Sequence, residues 1–160
     1  MRVNVLEDTG PSTILVDADA CPVKEEIYRV ARRHRLPVRV VANSWMQTPS
    51  DSLVELKVVS GAFDAADDWI AEQATEKDLV VTADIPLAAR CLEKGAKVLG
   101  HRGRPFTEES IGEALASREL TAQLREMGVV SGGPRPFAKK DRSSFLHNLD
   151  EAVRELERNA

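Results

Sequence analysis

A chain of 160 residues, 42% apolar and 30% charged, has the size and balance of one globular domain with a real core. Its formal net charge of −4 excludes an overall basic field that would draw it to nucleic acid or membrane. Any polyanion site must therefore come from local basic clusters or from metal ions. The apolar runs are too short to span a bilayer, and Cys21 and Cys91 form no metal-type pair, so a cytoplasmic setting with reduced thiols is expected.

Residues 1–12 read as a loosely held lead-in without signal-peptide character. Thr13–Val16 is an apolar run of buried-strand type that passes into Asp17-Ala18-Asp19-Ala20-Cys21-Pro22. The proline opens a helix to about Arg35, with Val23, Ile27, Val30 and Ala31 on its inner face. Lys24, Arg29, Arg32, Arg33 and Arg35 lie on its outer face, where a solvated helix end is favoured over nucleic-acid contact. Leu36-Pro37 ends the helix, and Val38–Ala42 makes a second strand running to Asn43-Ser44. An irregular segment from Trp45 to Ser52 leads to a third strand, Leu53–Val59, and a helix over Asp64–Thr75. Leu79–Val81 is a further buried-type strand ending in Thr82-Ala83-Asp84; a helix from Pro86 to Lys94 stops at Gly95, and Lys97–Leu99 is a short strand.

This alternation predicts an α/β fold, a mostly parallel sheet of about five strands with helices on both faces. Right-handed crossovers then align the carboxyl ends of the strands along one edge, where such sheets bind ligands. Beyond Gly100 the strands are expected to stop. His101–Pro105 reads as a basic turn, Thr107-Glu108-Glu109 starts a helix that runs to about Met127, with or without a break near Ser117, and Ser131–Pro134 is another turn. The last helix runs from about Asp141, with Phe145, Leu149, Val153 and Leu156 as its buried stripe. Residues 101–160 are thus expected as a C-terminal helical appendage on a single domain spanning 1–160.

Three acid groups fall near that one edge: Asp17 with Asp19, then Asp64, Asp67 and Asp68, then Asp84 behind Thr82. Helical spacing lets Asp64, Asp67 and Asp68 share a face. Taken singly, each group is equally a set of capping or dipole-offsetting residues. Together they offer oxygen ligands for a hard cation such as Mg²⁺ or Mn²⁺, and four or five acids suffice for two ions. His34, His101 and His147 are scattered, so zinc is disfavoured. Cys21 stands at a helix start, but no histidine is near it in sequence to support a catalytic thiol. Gly132 to Arg142 carries Arg135, Lys139, Lys140 and Arg142, either a phosphate cradle or a basic linker.

The segments VDADACPVK, VANS, FDAADDWIAE, DLVVTADIPLAA and GGPRPFAKKDRSSF together resemble the bacterial YaiI/YqxD family over nearly the whole chain from residue 13. Where that family favours Asn-Pro-Arg-Gly, this chain has Gly100-His101-Arg102-Gly103. The resemblance implies a PIN-like, three-layer α/β/α fold. Carried over by motif, Asp17 takes the first PIN aspartate position, Asp84 with Thr82 the Thr-x-Asp position, and Asp67 or Asp68 the helical acid. Asp19 and Asp64 have no sure counterpart.

The function expected from residues and resemblance is a Mg²⁺- or Mn²⁺-dependent nuclease acting on RNA. Asp17, Asp84 and Asp68 would be catalytic within a metal set of Asp17, Asp19, Asp64, Asp67, Asp68 and Asp84. Asn43, Ser44, Thr82, Arg135, Lys139, Lys140 and Arg142 would face or orient substrate phosphate. The alternative is a non-catalytic PIN-like module that holds metal with RNA or a protein partner. A haloacid-dehalogenase-type phosphatase, suggested by Asp17-x-Asp19, is disfavoured because Cys21 departs from that motif and no catalytic lysine can be placed. No membrane partner is expected, and a homo-oligomer is not legible in the sequence.

Overall fold

The computed structural model of the chain describes residues 12–62, 64–128 and 136–159. The lead-in therefore lies almost wholly outside the described residues, as does Arg135. The strands are β1 (Ile14–Asp17), β2 (Val38–Ala42), β3 (Val54–Val58), β4 (Leu79–Val81), β5 (Lys97–Leu99) and β6 (Pro105–Phe106). The helices are α1 (Lys24–His34), α2 (Ala65–Gln73), α3 (Ile85–Glu93), α4 (Glu108–Glu126) and α5 (Lys139–Arg158). They build one sheet in the order β3-β2-β1-β4-β5-β6, parallel except for its last pair. The α/β, PIN-like layering expected from the sequence is the observed one.

Alternation along the central strands divides the core in two. Ile14 and Val16, Val38 and Val40, and Leu79 and Val81 face α1 and α5. Leu15, Val41, Val80 and Val98 face α2, α3 and α4. Because β1 and β4 are buried on both faces, they are the near-continuous apolar runs that central parallel strands require. The same alternation has a consequence for chemistry. Two residues past Leu15 comes Asp17, and two past Val80 comes Thr82, so both are delivered to the α2–α3 face at the carboxyl edge.

The chain after Gly100 departs from the expectation that strands stop there. Pro105 and Phe106 pair antiparallel with Leu99 and Val98. Gly103 makes the reversal possible: it adopts φ +88°, its N–H donates to the Gly100 carbonyl, and the Gly100 N–H donates to the Arg104 carbonyl. A two-residue edge strand that contains proline has no periodicity to read, and an edge is where proline is tolerated. Nor does the next helix break near Ser117. Thr107 and Ser110 cap it reciprocally, and α4 then runs unbroken, since an interior serine costs a helix little.

Helix α5 packs on the core through the expected stripe, with Phe145, Leu149 and Val153 fully buried. It runs alongside α1 in the same direction. Near its start Arg142 donates to the Pro22 carbonyl, past its middle Asp150 meets the last turn of α1, and near its end Glu157 lies 3.0 Å from His34 Nδ1. There the Asp150 carboxylate accepts from Arg33 Nη1 at 3.0 Å, lies 2.8 Å from His34 Nε2, and pairs with Arg154 at 3.0 Å. The arginine cluster read as a solvated helix end is thus partly tied down, Arg33 to Asp150 and Arg32 to Asp51.

Asp150→Ala is expected to lower stability at neutral pH by about 1–2 kcal/mol, the worth of charge-assisted hydrogen bonds with half-exposed partners, measured by urea denaturation. The hydrogen bond from His34, aided by Arg33, holds the Asp150 carboxyl below its usual range. Its contribution is therefore present above the unfolded carboxyl value of 3.8 and is lost as acid titrates the folded group. Wild type and variant should converge in acid.

Candidate functional site

The strand order places β1 and β4 side by side at the centre of the sheet, with later strands added outward on both sides. Their loops leave in opposite directions, which opens a crevice at their carboxyl ends. Asp17 closes β1 there and is partly buried. Thr82, fully buried, donates its hydroxyl proton to Asp17 Oδ2 at 2.7 Å, and its oxygen accepts from the Asp84 N–H at 3.0 Å. One hydroxyl thereby sets the rotamer of Asp17 and the backbone of Asp84. Expected to orient ligands or phosphate from behind, Thr82 is enclosed, with its proton engaged by Asp17 and its oxygen by the Asp84 N–H.

Asp84 caps α3, accepting from the Leu87 N–H through Oδ1 at 2.8 Å, with Pro86 in the first turn as the motif predicts. Capping occupies one carboxylate oxygen and leaves the other for the crevice. Asp67, in the first turn of α2, completes the set. Burial, and next the charges of Asp17 and Asp84, push its carboxyl up to about 6. Asp17 is also raised, chiefly by burial and against the Thr82 hydrogen bond, with Asp84 and Asp19 adding to the rise. Three elements thus bring Asp17, Asp67 and Asp84 within electrostatic reach of one another.

The other predicted acids stand differently. Asp68, carried beside Asp67, is joined to Arg90 of α3 at 2.8 Å, so Asp67 is the helical carboxylate that faces Asp17 and Asp84. Asp64 precedes α2, exposed and without a side-chain capping bond. Asp19, also exposed, accepts from the Asn43 N–H at 3.1 Å, which ties the β1 loop to the end of β2. Ala20 in that loop takes φ +62°, and Lys24 holds the loop from beneath by donating to the Ala18 and Cys21 carbonyls. Asn43 and Ser44 are exposed on the same edge.

The buried acids elsewhere have a different set of partners. Asp78 accepts from the Thr13 and Thr75 backbones and the Thr75 hydroxyl. Asp141 accepts from the Ala138 N–H and pairs with Arg102, and Asp150 has its three cationic partners. Asp67 has no hydrogen-bond or ion-pair partner among the described residues. Asp17, Asp67 and Asp84 therefore carry a mutual repulsion that the paired acids do not, and shifted carboxyls of this kind concentrate at ligand sites. Among the described residues no three His, Cys, Asp or Glu side chains are already gathered as a metal cluster. The cysteines take no part: burial pushes the Cys21 thiol up, and Cys91 up to about 11, so neither is an activated thiolate.

Residues passed over in the sequence also lie on this edge. Trp45, one step beyond Ser44, is 75% exposed, an unusual setting for tryptophan. Arg102 and Arg104 flank Gly103 in the β5–β6 turn, and with Lys140, Asp141 and Ser144 they line a cavity of about 390 Å³. Lys139 is exposed at the start of α5, whereas Arg142 is engaged by Pro22 and Glu26 and stacks on Phe137. The signal in the sequence was Arg-Gly-Arg, read as a basic turn but not linked to a helix 40 residues away.

The crowded carboxylates have a measurable effect on the metal-free protein. Because the folded carboxyl of Asp67 titrates near 6, above its ordinary 3.8, its contribution to stability is fullest below about pH 4 and declines as pH rises through 6. In EDTA, Asp67→Asn should therefore melt above wild type at pH 7 to 8, with the gap closing towards pH 4. Equal melting curves at every pH would show that the Asp67 carboxyl is not raised in the folded protein.

The model of the uncharacterised bacterial YaiI/YqxD family matches residues 15–155. The UPF0178 protein of Bradyrhizobium diazoefficiens is 56% identical over 92% of this chain and 89% of its own length. That of Rhodopseudomonas palustris strain HaA2 is 54% identical over 96% and 93%. The UPF0178 protein of Brucella ovis is 60% identical over 94% and 96%. No solved structure matches. No helix among the described residues is long and apolar enough to cross a membrane. With its model matched from the middle of β1 to the end of α5, the chain belongs to the YaiI/YqxD family.

Proposed function

We propose that the protein is a divalent-metal-dependent nuclease that hydrolyses phosphodiester bonds in RNA at the β1–β4 crevice. The observation carrying this reading is the electrostatic crowding of Asp17, Asp67 and Asp84, which come from three elements, with Asp17 oriented by Thr82. An all-oxygen, anionic donor set suits Mg²⁺ or Mn²⁺ and not a softer metal. Fewer than three groups need to be pre-gathered, since Mg²⁺ is held by one or two carboxylates and completes its shell with water and substrate phosphate. When bound, such an ion neutralises charge on the phosphoryl oxygens and lowers the pKa of water at the site.

The chain's own residues have distinct tasks. Asp17 and Asp84 present fixed carboxylate oxygens, oriented by Thr82, and Asp67 supplies a third from α2. Asp19, tied to Asn43, shapes the loop in front of them, while Asp64 and Asp68 add negative field at the rim. Trp45 offers a stacking face to an unpaired base, which favours a single strand over a duplex.

Asp17→Asn and Asp84→Asn should reduce Mn²⁺-dependent cleavage of a labelled RNA to background. Both variants should keep the fold, because asparagine still accepts from Thr82 and still caps α3. Thr82→Val should cost about 10–100-fold, the usual effect of losing a group that orients a ligand. Gel-resolved cleavage with circular-dichroism controls reads both effects, and full activity in Asp17→Asn would overturn the reading. The second reading, a non-catalytic binding module, is favoured by the lack of a pre-gathered metal cluster among the described residues. RNA bound but never cut in Mn²⁺ would select it.

A further inference from the structure

We infer that the cavity between the β5–β6 turn and the start of α5 is a phosphate-binding subsite for single-stranded RNA, lined by Arg102, Arg104, Lys140 and Ser144. This extends the nuclease reading by naming where the strand is held beside the carboxylate crevice, and rests on it for the choice of ligand. At about 390 Å³ the cavity lies within the ~300–1,000 Å³ range of ligand pockets. Three cations and one carboxylate line it, in a chain whose overall charge is −4. That single carboxylate, Asp141, is buried and already engaged by the Ala138 N–H at 2.8 Å and by Arg102 at 3.5 Å. Arg104 and Lys140 have no ion-pair partner among the described residues.

The site is built to hold its shape. A Cβ on Gly103 would come within 2.8 Å of Asn148 Nδ2 and 2.9 Å of the Ser144 carbonyl, so the turn lies directly against α5. The Asn148 amide donates to the Gly103 carbonyl at 2.9 Å and pins it there. Arg102 lies over the Phe137 ring, 5.9 Å from its centroid, with Arg142 over the same ring at 5.2 Å. The residues flanking Gly103 are therefore fixed relative to Lys140 and Ser144. Parallel strands lie ~4.8 Å apart, so the turn leaving β5 starts one strand from Thr82 and two from Asp17 on the same edge. A short stretch of single strand spans that separation.

The test is fluorescence anisotropy of a labelled single-stranded RNA in EDTA, across a salt series. Arg104→Ala/Lys140→Ala should weaken binding roughly tenfold and flatten the salt slope by about 1.4, two contacts at ~0.7 each for a single strand. Both side chains are exposed, so the variant should fold normally. Gly103→Ala, which displaces the turn while keeping every cation, should weaken binding as well. Unchanged affinity and slope in the double variant would overturn the subsite, as would an absence of RNA binding by wild type. Inorganic phosphate binding that depends on Arg104 and Lys140, without strand binding, would reassign the cavity to a small anion and overturn it as a strand site. Binding in EDTA involves no turnover, so loss of the cleavage reading and loss of the subsite are separate results.

Discussion

The 2.7 Å hydrogen bond from Thr82 to Asp17 joins the two central strands at the point where their chains part. Everything at the crevice depends on it. Asp17 is held partly buried beside other acids, an arrangement that desolvation and repulsion both oppose. A single neutral hydroxyl compensates only part of that cost. The same oxygen receives the Asp84 N–H, so the start of α3 is positioned by the group that positions Asp17. The remainder of the fold supplies the stability that such a cluster subtracts.

Most of that supply comes from the far face. Phe145, Leu149 and Val153 of α5 are fully buried against the side of the sheet opposite the carboxylates. Polar contacts fix the helix near its start and past its middle, Arg142 on Pro22 and Asp150 on the last turn of α1. This clamp has a second effect. By lying parallel to α1, which begins just beyond β1, α5 brings its own basic start to the carboxyl edge. There it meets the Arg-Gly-Arg turn, and the two segments line a cavity that carries three cations.

The acids of this molecule differ in burial and in their partners. Asp78, Asp141 and Asp150 are enclosed by donors and belong to the architecture. Asp17 has one donor, and Asp67 none among the described residues. Asp84 combines a helix cap through one oxygen with a place near Asp17 and Asp67. Its capping is separable from its charge by asparagine, which caps equally well.

Several features were legible in the residues alone. The apolar runs ending in Asp17 and in Thr82-Ala83-Asp84, the period of α1 and α5, and the glycine and proline stops all follow from local chemistry, which the backbone obeys wherever it lies. Period-2 alternation even assigns Asp17 and Thr82 to one face. Strand β6 was not legible, because two residues carry no period, and neither was the unbroken α4, whose Ser117 resembles a stop. Distinguishing Asp67 from Asp68 required the third dimension: the two are adjacent on α2, and only the packing of α3, which brings Arg90 to Asp68, decides which is ion-paired. The cavity under Arg104 and Lys140 likewise joins segments far apart in the chain. Sequence determined the elements and the acids they end in, since those depend on nearest neighbours. Tertiary structure alone decided which charges meet, since electrostatic partners are set by distance in space.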